Sequence, residues 1–68
     1  MLDAKALKAK MVIAGVTQRE LADKIGMSEG TMTSRLKGKS PFTLKEVADI
    51  CKELSIVNGD EKAQIFLA

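Results

Sequence analysis

The stretch "EGTMTSRLKGK" (29–39) holds the residues best suited to chemistry with a ligand. Met32 and Leu36 lie four apart and share the buried face of one short helix, which turns Thr33 and Ser34 outward beside Glu29 and Gly30. Long charged side chains usually fill a solvated helix face, and this one carries short polar groups instead. Hydroxyls of this size donate to and accept from base edges, and a threonine methyl can meet a thymine methyl; plain solvated surface is the other reading. Arg35, Lys37 and Lys39 follow at the helix end and in the loop beyond, placed to bind phosphates or to form a solvated basic face. Glu29 favours the positive end of the helix dipole by about 0.3–1 kcal/mol, and it could equally accept from a cytosine amino group. Gly30 either lets the backbone approach a nucleic acid closely or is tolerated in a first turn.

Enzymatic chemistry has little to work with. The chain has no histidine and one cysteine, Cys51, so the usual proton shuttle, the usual metal ligands and any internal disulfide are missing. No cofactor, metal or small-molecule substrate is expected. Cys51 and the methionines at 11, 27 and 32 read as core packing. The apolar stretches are too short for a membrane span or a secretory segment, which makes the cytoplasm the expected compartment. Apolar residues at 46% and charged residues at 29% are ordinary for a globular protein. Residues 1–68 read as a single domain with a small core, burying only about 60% of the unfolded surface. The net charge of +2 is unevenly placed. Residues 1–40 carry eight basic against four acidic side chains, and residues 41–68 three against five. A basic half and an acidic half suit a chain with one surface for a polyanion.

The elements that must position these residues are helical. Leu2, Ala6, Leu7, Met11, Val12 and Ala14 recur at helical spacing, and Gly15 punctuates the end. Thr17 offers an N-cap with Glu20 three residues on, a capping box that opens a second helix whose inner face is Leu21, Ala22 and Ile25. Gly26 stops it, and Ser28 caps the third helix. "GKSP" (38–41) is a turn, and Thr43 with Glu46 forms a second capping box for a fourth helix striped by Leu44, Val47, Cys51 and Leu54 and widened by Ala48 and Ile50. "NG" (58–59) reads as another turn. Residues 60–68 are expected as a short fifth helix with Ile65, Phe66 and Leu67 packing back, a terminal strand being the alternative. The fold class is all-α, with four or five helices.

Gly26 to Ser28 is a short connection between two helices, and Gly26 suits a left-handed turn. Ala22 is small where a neighbouring helix must cross. This is helix-turn-helix spacing, which pushes the third helix outward as a ridge about the width of the DNA major groove. "TQRELADKIGMS" places Gln18, Leu21, Ala22, Ile25, Gly26 and Met27 in the order glutamine, apolar, alanine, apolar, glycine, apolar. With "LKGKSPFTLKEVADICKEL", it makes residues 5–57 resemble the phage Cro/repressor-type helix-turn-helix family, also called XRE, with its lambda-repressor-like fold. The chain departs from that family at Arg35, often apolar there, with Leu36 taking the role one position later; at Glu29, often neutral; and at Gly30, a position that commonly faces bases.

The resemblance implies a double-stranded DNA-binding transcriptional regulator, with a repressor as the phage-like type. It implies that Gln18 binds a phosphate, and it places Ser28, Glu29, Gly30, Thr33, Ser34, Arg35, Lys37 and Lys39 at the DNA. One such unit spans few base pairs, so a homodimer on a two-fold operator is expected, paired through residues after the fourth helix. A protein-binding adaptor or antirepressor of the same fold is the alternative, drawing on the low net charge, Glu29 and the apolar tail "IFLA".

Overall fold

The computed structural model describes residues 1–67. Their elements are α1 (Ala4–Ala14), α2 (Gln18–Lys24), α3 (Glu29–Leu36), α4 (Leu44–Glu53) and α5 (Gly59–Phe66), with no strand among them. The C-terminal segment is therefore helical through Phe66, and Asn58 is the N-cap of that helix, its side chain accepting from the amides of Asp60 and Glu61. Ala68 lies outside the described residues.

Both capping boxes form. Thr17 and Glu20 exchange side-chain-to-backbone hydrogen bonds at the start of α2, as Thr43 and Glu46 do at the start of α4. Ser28 caps α3 by accepting from the Thr31 amide, and Asp3 caps α1 by accepting from the Ala6 amide. Each cap satisfies one of the orphan amides of a helix start. The α2–α3 turn runs from Ile25 to Ser28, because Lys24 is the last helical residue and Ile25 is the cap. Gly26 has φ +73°, and the Met27 amide donates back to the Ala22 carbonyl at 2.8 Å. This six-to-one closure needs a left-handed residue at position 26, which glycine adopts without steric penalty.

The core comprises Leu7 and Met11 from α1, Leu21 and Ala22 from α2, Met32 and Leu36 from α3, Ile50, Cys51 and Leu54 at α4, then Ile56 and Ile65. α2 packs on both α3 and α4, and α1 packs on α5. The Asp3 amide donates to the Ile65 carbonyl at 2.7 Å and so ties the chain start to α5. Phe42 and Phe66 meet edge to face, with ring centroids 6.0 Å apart.

Several apolar residues expected inside are outside. Val12 is 80% exposed because it follows Met11 by one position and points off the Leu7–Met11 stripe. Leu44 is 91% exposed and Ala48 is exposed; the buried stripe of α4 is Ile50, Cys51 and Leu54, with Val47 half-buried. Leu44 is the first residue of α4 and extends past the core edge. In the C-terminal segment Ile65 is buried and Phe66 half-buried, whereas Leu67 stays 77% exposed.

Candidate nucleic-acid interface

α3 is anchored by burial of Met32 and Leu36. With that face inward, Gly30, Thr33, Ser34 and Lys37 form one continuous strip beside it, and Glu29, whose spacing puts it near the face of Met32 and Leu36, is exposed because it opens the first turn. Glu29, Gly30 and Lys37 are exposed, and Thr33 and Ser34 are half-buried. Lys39 is exposed just beyond, in the loop. A Cβ added at Gly30 would meet nothing within 4 Å, so no contact inside the folded chain calls for glycine there.

Gln18 and Thr33, from different helices, are joined. The Gln18 Nε2 donates to Thr33 Oγ1 at 2.7 Å. The first residue of α2 is thereby fixed beside the middle of the strip, and the threonine's own O–H is left as a donor. Arg19, exposed next to Gln18, is a basic residue at this edge that sequence reasoning passed over; its adjacency to Gln18 was the available signal. Ser28 Oγ donates to Thr31 Oγ1 at 2.9 Å while capping α3, so its hydroxyl serves the helix start.

Arg35 departs from its expected place among the free cations. Its Nε donates to Glu46 Oε1 at 3.0 Å, its second terminal nitrogen to Glu46 Oε2 at 3.2 Å, and its first to Ser40 Oγ at 2.7 Å. A guanidinium committed to a bidentate carboxylate and a hydroxyl has little left for a phosphate. Neither a sequence stripe nor a charge count reveals this partner, because Glu46 already had a local role in its capping box. Among the described residues Lys37 and Lys39 form no ion pair, in contrast to Lys10 with Glu61, Lys24 with Glu53 and Lys45 with Asp49.

The titrating groups follow this geometry. The Arg35 guanidinium holds the Glu46 carboxyl below the usual carboxylate range, aided by the Thr43 amide, and Glu46 in turn raises Arg35. Glu20 is lowered chiefly by the Thr17 amide. Burial pushes the Cys51 thiol up, which fits a packing residue rather than a nucleophile. No group of three or more Cys, Asp or Glu side chains among the described residues could hold a metal ion, and no helix is long and apolar enough to cross a membrane.

Two capped helices joined through a left-handed glycine, with the second presenting a polar strip bounded by unpaired lysines, define an all-α helix-turn-helix domain of lambda-repressor-like type. The family profile of the Cro/C1-type HTH DNA-binding domain matches residues 6–60, and the chain belongs to that family, a family of DNA-binding domains. The chain has no significant match among curated proteins or among solved structures.

Proposed function

We propose that the chain is a sequence-specific regulator of transcription that lays α3 in the major groove of double-stranded DNA. The observation that carries this reading is the outward strip of α3. Between the charged ends, Glu29 and Lys37, it is small and polar where solvation alone would favour long charged groups, and Gly30 has no packing reason within the fold. Thr33 and Ser34 meet base edges, Glu29 accepts from a cytosine amino group, and Gly30 allows close approach of the backbone. Gln18, held by Thr33, binds a phosphate at the start of α2, and Ser28 meets the DNA from the cap of α3. Lys37 and Lys39 neutralise phosphates at the far end.

One domain covers too few base pairs for useful specificity, so the regulator acts as a homodimer on a two-fold operator, as a Cro-like repressor that occupies its site. An apolar groove between the chain start, α4 and α5 supports the pairing; Met1, Leu44 and Leu67 line it and are each more than three-quarters exposed. The same groove would serve the alternative, an adaptor without DNA contact. Selection of bound sequences from a random DNA pool tests the proposal. Enrichment of inverted half-sites about 10–10.5 base pairs apart, centre to centre, is expected. A pool that stays random would contradict it.

A further inference from the structure

The segment from Lys37 to Thr43 carries two of the proposed phosphate ligands and has no regular structure of its own. It leaves α3 through Gly38, at φ +78°, with the Lys39 amide donating to the Ser34 carbonyl at 3.0 Å. It enters α4 through the Thr43 cap. Across its mouth, Arg35 in the last turn of α3 grips Glu46 in the first turn of α4 through both carboxylate oxygens. The remaining terminal nitrogen of the guanidinium reaches Ser40 within the loop, and Glu46 Oε1 also accepts from the Thr43 amide at 2.9 Å. One guanidinium and one carboxylate therefore touch both ends of the loop and a point within it. Their side chains are 19% and 21% exposed, so this is more than a solvated surface pair. The planar fork of arginine fixes direction as well as distance, which a lysine ammonium would not do.

We infer that Arg35 and Glu46 are positioning residues for DNA binding: they close the α3–α4 loop into the shape that presents Lys37 and Lys39 to the phosphate backbone, and Arg35 is not itself a phosphate ligand. The inference rests on the DNA-binding reading above. Lysines on a loop free to sample many shapes would have to be ordered at the moment of binding, at a cost in affinity. The Arg35–Glu46 clamp meets that cost in the free protein.

Glu46→Gln separates the two roles of Arg35. Glutamine at this position still completes a capping box, so the start of α4 is retained. Were Arg35 a phosphate ligand, releasing it and deleting a nearby carboxylate would tighten binding. As a positioning residue, it predicts the opposite sign. The probe is a mixed-sequence DNA duplex titrated at several salt concentrations, well below the unfolding midpoint and with folding verified by circular dichroism. Glu46→Gln and Arg35→Ala are each expected to weaken binding several-fold, and Arg35→Lys is expected not to recover it. In a Lys37→Ala/Lys39→Ala background, Glu46→Gln should have no further effect. Equal or tighter binding by Glu46→Gln overturns the inference and leaves DNA binding intact. Failure of the parent chain to bind the duplex removes the DNA-binding reading and this role with it. Amide exchange at Lys39 in the free protein gives a second readout. It should quicken in Glu46→Gln, and unchanged exchange also overturns the inference.

Discussion

Thr17–Glu20 and Thr43–Glu46 are one motif written twice, yet the two copies do different work. The local geometry is nearly the same. Glu20 and Glu46 amides donate to their threonine hydroxyls at 3.1 Å, and the threonine amides donate to the glutamates at 3.0 and 2.9 Å. Beyond the box they diverge. At α2 the position after the cap is Gln18, which reaches Thr33 in α3. At α4 that position is Leu44, which reaches solvent, and the third position, Glu46, reaches Arg35 in α3. Both helix starts thus brace α3, one at its middle and one at its end, through different positions of the same four-residue motif. Neighbours in sequence decide the cap, and the placement of α3 decides which member of the motif is recruited.

The bracing presumes a rigid joint between α2 and α3, so the largest effect is expected at Gly26. Gly26→Val places a β-branched residue at φ +73°. The left-handed conformation costs roughly 1–2 kcal/mol for an ordinary residue and more for a branched one. Thermal unfolding should show a drop of several degrees or loss of the cooperative transition, and an unchanged midpoint would move the turn elsewhere. The caps come next. Thr17→Ala and Thr43→Ala should each lose about 1 kcal/mol, seen as a fall of about 4–8 °C in Tm for a domain of this size. The two losses should be similar, because the boxes are alike. A large inequality would mean that the hydroxyls, and not only the neighbouring positions, differ in their tertiary roles.

The glutamates should break that symmetry. Glutamine can keep either box, so Glu20→Gln should lose only the charge-assisted part of its cap at neutral pH, whereas Glu46→Gln also loses the ion pair and should lower Tm further. Both carboxyls lie below their ordinary value of 4.5 in the folded chain. Their stabilisation is therefore complete above that pH and is lost as pH falls through the lowered folded values. Melting curves from pH 6 down through the acid range, on the order of pH 3 at the lower end, should fall for the parent and flatten in Glu46→Gln. Gly30→Ala should be the least destabilising, because open space surrounds the new methyl and alanine is the better helix former by up to about 1 kcal/mol, less in a first turn. Tm should hold or rise while DNA affinity drops. Unchanged affinity would remove the close-approach role.

Much of this architecture was legible because it is local. The caps at Thr17, Ser28 and Thr43, the left-handed turn at Gly26 and the inward pair Met32 and Leu36 are each set by residues within a few positions. The Arg35–Glu46 pair joins residues eleven apart across a loop, and the Gln18–Thr33 bond joins residues fifteen apart across a turn. No periodicity encodes either one. Leu44 and Val12 misled for a related reason. Helical spacing shows which residues can share a face, but the neighbouring helices decide how far along that face the cover extends, and both residues lie beyond it.

Base readers on α3 and phosphate ligands in the loop after it are two kinds of contact, so the most direct measurement pairs one mutant of each. Ser34→Ala and Lys39→Ala would be titrated across salt concentrations against a duplex selected from the random pool and against its scrambled counterpart. Ser34→Ala should lose affinity for the selected duplex, by about 1 kcal/mol or somewhat more, and bind the scrambled one like the parent. Lys39→Ala should weaken binding to both and flatten the log–log salt slope by about one unit. If both mutants match the parent on both duplexes at every salt concentration, α3 does not read the groove and the adaptor reading takes its place.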